Sequence, residues 1–464
     1  MVKTAARMSL AGILRDEHSC RVFLCAAICF AVCDFIRAGA GAMNHIDDHP
    51  QRYALANELH ARPFPALEAN SRAVHLAILR EGDKGADLAH LNALLDRFGA
   101  QHPGAGATHY FADLGPFRLK WEQHTEFVTY TLFVPGLNGR AFDPVDQENF
   151  PADWLASVPG SCITAALVRV EAQGEDDQSI RRKLRDWFVP ESLAVAEVAE
   201  QSAVIAGDFR IDPAGMMRFA VFVQKGTGPR RIGRVVQRLC EIETYKAMSM
   251  LGFATAKEMA RDLDAIDARL GDLTEQMRGQ GRDADKTLDA LLEIAAELES
   301  LEARSSFRFS GTRAYAALVG QRIAVLQETR FQGRQLFSDF MARRFDPAMR
   351  TVQSTKARLD NMAGRAMRAG ELLRTRVDVE RSAQNRDVLA SMDRRAALQL
   401  RLQKTVEGLS VVAISYYAVN LASYFLYPGA SWLGLGKPWL TAGLTPLVVG
   451  VVYLALRRIR HNAE

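Results

Sequence analysis

The sequence predicts an α/β or α+β cytoplasmic head, then a long helical coiled-coil hairpin and stalk, and finally two C-terminal transmembrane helices. Three observations predict this fold class. Short strand-like runs alternate with helical runs over residues 45–224, apolar residues then recur at steps of three and four, and two uncharged apolar runs lie near the C-terminus. The composition, with 24% charged and 48% apolar residues among 464, excludes a disordered chain and a polytopic membrane protein.

Five runs rich in β-branched and aromatic residues predict the strands of the head: 72–79, 117–134, 162–172, 202–211 and 216–223. Residues 85–99 and 178–188 have a helical pattern, and residues 212–215 (DPAG) predict a turn between the last two strands. Strands that alternate with helices are typical of an α/β or α+β domain.

Apolar residues next form a seam with coiled-coil spacing: Ala256, Met259, Leu263, Ile266, Leu270, Leu273 and Met277. Residues 278–285 (RGQGRDAD) break this helix. The same spacing then resumes with Leu291, Ile294, Leu298 and Leu301. The pattern predicts an antiparallel helical hairpin.

A further helix is predicted from Gly311 to Arg344. A new helix is predicted from Asp346, because Asp is a favourable N-cap and Pro347 loses no hydrogen bond in a first turn. Apolar residues recur in it every seven positions, at Val352, Leu359, Ala366 and Leu373. This stalk would run about 120 Å directly into the first membrane span. A single copy would leave the apolar stripe in water, so the repeat predicts a homo-oligomer.

Neither residues 408–427 nor residues 439–456 contain a charge, and both runs are long enough to cross a hydrocarbon core about 30 Å thick. Basic residues flank the pair on both outer sides, whereas the connecting loop contains only Lys437. By the positive-inside rule the head and the basic tail are cytoplasmic and the loop faces out. The lipid bilayer is therefore a predicted partner.

Residues 1–42 have the pattern of a secretory signal, since basic residues precede the apolar run 22–32 and small residues follow at 38–42. Export would place the basic flank of the first span outside. We therefore expect Met43 to be the natural start and residues 1–42 to be an upstream extension. A working signal or a third membrane anchor is the alternative.

The predicted boundaries are the extension 1–42, the head 43–228, the helical coiled-coil region 229–345, the stalk helix 346–407, the first transmembrane helix 408–427, the external loop 428–438, the second transmembrane helix 439–456 and the cytoplasmic tail 457–464. A net charge of +4, without a zinc-finger or helix-turn-helix pattern, predicts no nucleic-acid partner. The only cysteines of the body, Cys162 and Cys240, suggest a reducing compartment.

Several long strings resemble one protein family: HPQRYALANELHARPFPALEA, KWEQHTEFVTYTLF, RLCEIETYKAMSMLGF, LLRTRVDV and ASMDRRAALQLRLQKTVEGLSVVAISYY. This family consists of uncharacterised, membrane-anchored bacterial proteins with a domain of unknown function. The resemblance covers roughly residues 45–460 and excludes residues 1–42. It implies a location in the bacterial inner membrane and no particular activity.

The order of elements is also similar to that of CorA-type magnesium channels, with a head, a helical hairpin, a long stalk helix and two C-terminal spans. Those channels carry a Gly-Met-Asn signature after the first span. Here the stretch reads YFLYPGASWLGLG, without that signature, and the loop has no Asp or Glu to concentrate divalent cations.

Tyr416, Asn420, Ser423 and Tyr427 are spaced to share one face of the first span. The face could line a pore in an oligomer, or it could pack one membrane helix against another. We favour packing, because polar side chains commonly hold membrane helices together.

Histidine and carboxylate residues suggest two sites near the start of the head. HIDDH (45–49) with His60 could bind a transition metal, although solvated residues are the simpler interpretation. Glu58, His60 and Arg62 could form an acid-base group with a strand row of Glu122, His124 and Glu126. An edge segment and a solvent-facing row are the structural alternatives, which we favour.

KGTGPRRIGR (225–234) precedes a helix and could hold a phosphate at its N-terminus. Arg231 stands where a dinucleotide fingerprint has Gly, and no Walker motif is present, so we expect a hinge and no cofactor. The sequence therefore favours a membrane-anchored, oligomeric, non-enzymatic protein. The alternatives are a CorA-like cation channel and an enzyme in the head.

Overall fold

The structure is a computed structural model, and it describes residues 47–58, 64–81, 83–174, 177–278, 284–432 and 436–461. The chain divides into two compact units. One contains the chain up to Thr244 together with Arg322–Phe337, and the other contains Tyr245–Gln321 and the chain from Ser338 onward.

The first unit combines a β-sheet with short helices. Its strands are β1 (Ser71–Arg80), β2 (His109–Asp113), β3 (Arg118–Gln123), β4 (Phe127–Pro135), β5 (Gly160–Ala172), β6 (Ala194–Val198), β7 (Ala203–Gly207), β8 (Met217–Val223) and β9 (Thr329–Arg330). Its helices are α1 (Arg52–Glu58), α2 (Lys84–Arg97), a 3-10 helix (Pro144–Asn149), α3 (Ala152–Ala156), α4 (Asp177–Trp187) and the first part of α5 (Pro229–Arg278).

The nine strands form one sheet in the order β2-β3-β4-β1-β5-β8-β7-β6-β9. Among the described strands, only the β5–β8 pair is parallel, and the other seven neighbouring pairs are antiparallel. A mixed α/β fold with long helices is therefore confirmed, and each of the five predicted strand runs contains a strand. The run 117–134 is a hairpin of β3 and β4, because the His124 amide donates to the Phe127 carbonyl at 2.8 Å and closes a turn.

The two faces of the sheet differ because successive strand residues point in opposite directions. On β4, Val128, Tyr130 and Leu132 join an apolar cluster that also contains Leu91 of α2. Fully burying such a side chain stabilises the fold by about 1.5–3 kcal/mol. The alternate residues of β4, Thr129 and Thr131, are buried polar groups on the other face.

The second unit is helical. It contains the rest of α5, most of α6 (Ala284–Leu326), α7 (Phe337–Trp432) from Ser338 onward, and α8 (Lys437–His461). The predicted seam residues of α5 and α6 lie in one apolar cluster, but α7 supplies a third side of this cluster: Val352, Leu359, Met362, Ala366, Ala369 and Leu373. The seven-residue repeat of the predicted stalk is thus covered within the same chain. The predicted two-helix hairpin is in fact part of a three-helix core.

The helix predicted from Gly311 to Arg344 is wrong in its extent, because α6 ends at Leu326 and α7 begins at Phe337. The intervening segment completes the sheet, since β9 pairs with the edge strand β6 and Phe331 is buried in the apolar cluster. These tertiary interactions outweigh the local helical pattern.

The predicted helix start at Asp346 is also wrong, because Pro347 lies inside α7. An interior proline removes one helical hydrogen bond. The buried side chains on either side, Phe345 and Ala348, oppose this cost.

Helix α7 continues to Trp432, beyond the predicted end of the first span at residue 427, and α8 is longer than the predicted range 439–456. Both helices are long and apolar enough to cross a membrane. In their most apolar stretches only 11% and 0% of the residues are buried, respectively. The start of the predicted loop is therefore helical, and its residues 433–435 lie outside the described residues.

Candidate functional site

A buried polar layer covers one face of the sheet beneath the first part of α5. Thr131 is in register with Lys120 on one side and His75 on the other, and Thr129 is in register with Glu122. Residues that are directly paired across strands share a face of the sheet. The strand members of this layer are His75, Lys120, Glu122, Thr129, Thr131 and Thr164.

His75 connects the sheet to α5 through two hydrogen bonds. Its Nε2 atom lies 2.9 Å from the Thr244 hydroxyl, which itself donates to the Cys240 carbonyl at 2.9 Å. Because that hydroxyl has only one hydrogen, Nε2 must carry the proton and donate to Thr244. The Nδ1 atom then accepts from the Thr131 hydroxyl at 2.8 Å.

This environment keeps the imidazole neutral. Burial lowers the pKa of His75 to about 3, and the nearby charges of Lys120 and His124 add to the effect. The Lys120 ammonium is itself buried and lies 3.1 Å from the Glu122 carboxylate. Two hydroxyls, the imidazole between them and a backbone carbonyl thus form a continuous chain of donors and acceptors from β4 through β1 to α5.

Two further groups complete the layer. Glu243 is buried and accepts a hydrogen bond from the Thr164 hydroxyl at 3.0 Å. Cys240 is also buried, and burial raises the pKa of its thiol to about 12. A protonated thiol is a weak nucleophile. The layer therefore has the properties of a structural network and lacks the activated groups of nucleophilic catalysis.

The predicted row of Glu122, His124 and Glu126 is divided by the hairpin turn. Glu122 is on β3, whereas His124 and Glu126 lie in the turn before β4, and the His124 ring stacks on Phe127 with centroids 4.3 Å apart. The row fails as a strand pattern because β3 ends at Gln123.

The other half of the predicted acid-base group cannot be placed with it. Glu58 is the last residue of α1, its side chain is outside the described part of the chain, and His60 and Arg62 lie in the undescribed residues 59–63.

The predicted metal site falls partly outside the described residues, which exclude His45 and His60. Asp48 accepts hydrogen bonds from Arg52 and from the Tyr53 hydroxyl, the latter at 3.0 Å. The His49 Nδ1 atom accepts from the Gln51 amide at 3.2 Å. Among the described residues, no group of three His, Cys, Asp or Glu side chains is arranged to hold a metal ion.

The four residues of the predicted pore or packing face have different environments. Ser423 is buried and its hydroxyl donates to the Val419 carbonyl at 2.7 Å. Asn420 is half-buried, whereas Tyr416 and Tyr427 are exposed. The Lys437 ammonium of α8 lies 5.9 Å from the centre of the Tyr427 ring. Within one chain, only the middle of this face is covered.

Residues 225–228 form the turn between β8 and α5, and they lie inside the first unit rather than at its division from the second. Together with the β6–β7 turn they border a cleft of about 770 Å³. Its lining includes Lys225, Arg230, Arg231 and Arg234, so the segment predicted as a hinge is the rim of a basic cleft.

Sequence reasoning missed the polar layer and most of the cleft. The sequence does contain a signal for the layer, because polar residues stand at every second position of the strands, such as Lys120 with Glu122 and Thr129 with Thr131. The β6–β7 turn, which supplies Glu200 and Ser202 to the cleft, carries no motif that connects it to residues 225–234.

Two comparisons with known proteins bear on this chain. No curated protein matches it significantly. A family model described as "Protein of unknown function (DUF3422)" matches residues 47–463, which is most of the sequence. The chain therefore belongs to the DUF3422 family of proteins of unknown function.

Proposed function

We propose that this protein is anchored in the cytoplasmic membrane of a bacterium by its C-terminal helical hairpin. It displays its sheet-containing unit in the cytoplasm and has a non-enzymatic role in the membrane. The observation that carries this proposal is the exposure of the apolar stretches of α7 and α8, in which 11% and 0% of the residues are buried. A core helix of a soluble protein would be mostly buried.

The apolar stretches of both helices expose large apolar side chains. Leu421, Phe425 and Trp439 are 77%, 86% and 79% exposed, respectively. Continuous apolar surface of this kind marks an interaction with a membrane or a protein. Lipid would cover the exposed sides of both helices at once, and the Trp and Tyr side chains near the connection suit a membrane interface.

The charges support an orientation with both ends in the cytoplasm. Arg394, Arg395, Arg401 and Lys404 precede the first span, and Arg457, Arg458 and Arg460 follow the second. Lys437 is the basic residue of the connection, and its ammonium lies 5.1 Å from the centre of the Tyr424 ring. A cation placed over an aromatic ring at the interface is compatible with an outer loop.

We further propose that copies of the protein associate through the exposed part of α7 before the span. Residues 378–409 of this helix are exposed except for Ser391, which is half-buried. Five apolar side chains that are more than half exposed fall on one seam of seven-residue repeats: Val388, Met392, Leu402, Val406 and Leu409. The two seam positions between Met392 and Leu402 are Arg395 and Gln399. A second copy of the same helix would remove this stripe from water, and anchoring in one membrane keeps copies in the same orientation.

The anchoring proposal is tested by alkaline carbonate extraction of bacterial membranes that contain the full chain. We expect the protein to remain in the membrane pellet. Replacing Ile414, Leu421 and Leu447 together by Lys should release it, because each lysine near the centre of a span costs about 2.5–3.5 kcal/mol. The matched control replaces Leu389, Met392 and Leu400 by Lys, on the same helix but before the span, and should stay in the pellet.

The same membranes report the orientation. Protease added to intact spheroplasts should leave the sheet-containing unit uncut, and protease added after lysis should digest it. Extraction of the unmodified chain by carbonate, or digestion in intact spheroplasts, would refute the anchor or its orientation, respectively.

A further inference from the structure

We propose that the basic cleft between the β6–β7 turn and the start of α5 binds a phosphate group. The cleft of about 770 Å³ adjoins a second hollow of about 240 Å³, and the two share Glu200, Arg231 and Arg234 in their linings. A volume of this order is that of a small-molecule site. The proposal concerns the first unit alone and does not depend on the membrane anchor.

Positive charge dominates the cleft and its adjoining hollow. Five cations line them: Lys225, Arg230, Arg231, Arg234 and Arg238. Glu200 is the acidic residue in the same linings, and it lies 3.4 Å from the Arg231 guanidinium. Within the described residues, these five cations form no other ion pair. The cleft therefore has an excess of positive charge for a bound anion.

Arg238 lines the adjoining hollow beside Arg234 and donates to the Val325 carbonyl at 3.3 Å. Burial lowers the pKa of its guanidinium from the ordinary value, and the neighbouring charge of Arg234 lowers it further. An anion between the arginines would relieve this repulsion, and guanidinium groups match phosphate oxygens in bidentate geometry.

A buried hydroxyl in the cleft has no partner. Ser202 is 5% exposed and lines the cleft, and its Oγ atom is buried without a hydrogen bond in the described structure. The Ser202 carbonyl is already occupied, since it accepts from the Gln224 amide at 2.9 Å and from the Thr227 hydroxyl at 3.0 Å. An unsatisfied buried hydroxyl costs about 1–3 kcal/mol. A phosphate oxygen would satisfy it as an acceptor.

The backbone around the cleft is held in an uncommon conformation. Ala199, Glu200 and Gln201 are consecutive non-glycine residues with φ of 52°, 58° and 62°. Left-handed residues of this kind are disfavoured and are often found where a site requires them. On the other side, the cleft-lining Gly226 has φ of +90°.

The start of α5 adds a fixed positive field. This helix is 50 residues long and begins at Pro229, immediately after the cleft-lining Gly228. A helix N-terminus carries about half a positive charge and favours phosphate. None of the described lining residues is aromatic, so the cleft offers no stacking surface for a base. The ligand class is therefore a small phosphate ester, a free phosphate or a phospholipid headgroup.

The test is a titration of the full chain in dodecyl maltoside with sodium phosphate and with glycerol 3-phosphate, followed by calorimetry and by the shift in Tm. We expect saturable binding that weakens as salt rises. Arg234→Gln should weaken it at least tenfold. Ser202→Ala should weaken binding several-fold without lowering the Tm of the free protein, because the Ser202 hydroxyl makes no hydrogen bond that the substitution would remove. Arg261→Gln, an exposed change on the same helix outside the cleft, should bind like the unmodified chain.

A lipid source is distinguished by a second arm. Micelles that contain phosphatidylglycerol are compared with micelles that contain phosphatidylcholine, and an Arg234-dependent rise in Tm with phosphatidylglycerol alone would assign the cleft to an acidic headgroup. Binding of either soluble phosphate that depends on Arg234 and Ser202 would assign it to a free ester or phosphate. The proposal is overturned if no probe binds, or if binding is the same in both cleft variants as in Arg261→Gln.

Discussion

The hydrogen-bond partners of His75 allow only one tautomer of its imidazole. The Thr244 hydroxyl already donates to the Cys240 carbonyl, so the imidazole must donate from Nε2 and accept at Nδ1. A helix shifted by one residue along the sheet would break this chain of donors and acceptors. Buried polar networks can therefore specify one packing arrangement where apolar contacts alone would tolerate several.

The neutral state of this imidazole predicts a pH-dependent stability. The pKa of His75 is about 3 in the folded state and 6.5 in a model peptide. Below pH 6.5 the unfolded chain therefore binds a proton that the folded chain does not, so stability falls as pH decreases toward 3. Between pH 7.5 and pH 5 this one group should lower the free energy of unfolding by about 2 kcal/mol.

Chemical denaturation of the full chain in detergent at pH 7.5 and pH 5 measures this change. His75→Gln should lower stability at pH 7.5 and reduce the loss between the two pH values. The control Leu76→Ala removes a buried apolar side chain from the same strand and should cost about 2–5 kcal/mol with an unchanged pH dependence. An equal pH dependence in His75→Gln and in the unmodified chain would contradict a neutral, buried His75.

Helices α5 and α6 approach closely at one glycine of the second unit. Gly252 is buried in α5, and a Cβ built on it would lie 2.1 Å from the Thr312 Oγ1 atom and 2.9 Å from the Thr312 Cβ atom of α6. The same Thr312 hydroxyl donates to the Ser249 carbonyl at 3.3 Å. The approach is therefore set by side chain and backbone together, and a methyl group has no space without moving one helix.

Two alanine substitutions in α5 should have opposite effects. Gly252→Ala should destabilise the protein by about 1–3 kcal/mol, because overpacking outweighs the gain in helix propensity. Gly271→Ala should stabilise it by up to about 1 kcal/mol, since a Cβ there has nothing within 4 Å. Thermal denaturation of the two variants beside the unmodified chain measures both effects. Stabilisation by Gly252→Ala would mean that the two helices are farther apart than the structure places them.

Local sequence signals predicted the helices of the second unit well where packing and helix propensity agree. The seam from Ala256 to Leu270 and its continuation in α6 were visible because a buried helix face requires apolar residues at steps of three and four. The break at 327–336 was not visible, since it depends on the pairing of Thr329 and Arg330 with a strand more than a hundred residues earlier. Pro347 indicated a helix start, but the packing of its neighbours keeps it inside α7.

The candidate sites show the same division. The basic segment 225–234 was recognised from its residues, whereas Ser202 and Glu200 reach the cleft through the order of strands β6, β7 and β8 in the sheet. The layer around His75 similarly joins four strands and a helix. A sequence read element by element contains the side chains of both sites but not the pairing that assembles them.

At the scale of the whole molecule, the seven-residue repeat and the later, exposed part of α7 lead to different conclusions about assembly. Val352, Leu359, Ala366 and Leu373 are covered by α5 and α6 of the same chain, so this repeat does not require a second copy. The exposed apolar residues of α7 before the proposed span lie later, between Val388 and Leu409. The proposed association therefore concerns the part of the helix next to the proposed first span.

The mass of the full chain in dodecyl maltoside, by light scattering corrected for bound detergent, tests this association. We expect a multiple of the chain mass, because the stripe from Val388 to Leu409 is buried only between copies. Leu402→Gln with Val406→Gln should shift the mass toward the monomer, whereas Leu389→Gln with Leu400→Gln, on another side of the helix, should not. A monomer of the unmodified chain would refute association through this stripe. Five copies would make a pore at the hairpin the next hypothesis, with Tyr416, Asn420 and Ser423 at its lining and ion flux through liposomes as its assay, because two spans per chain enclose a channel only when several chains assemble.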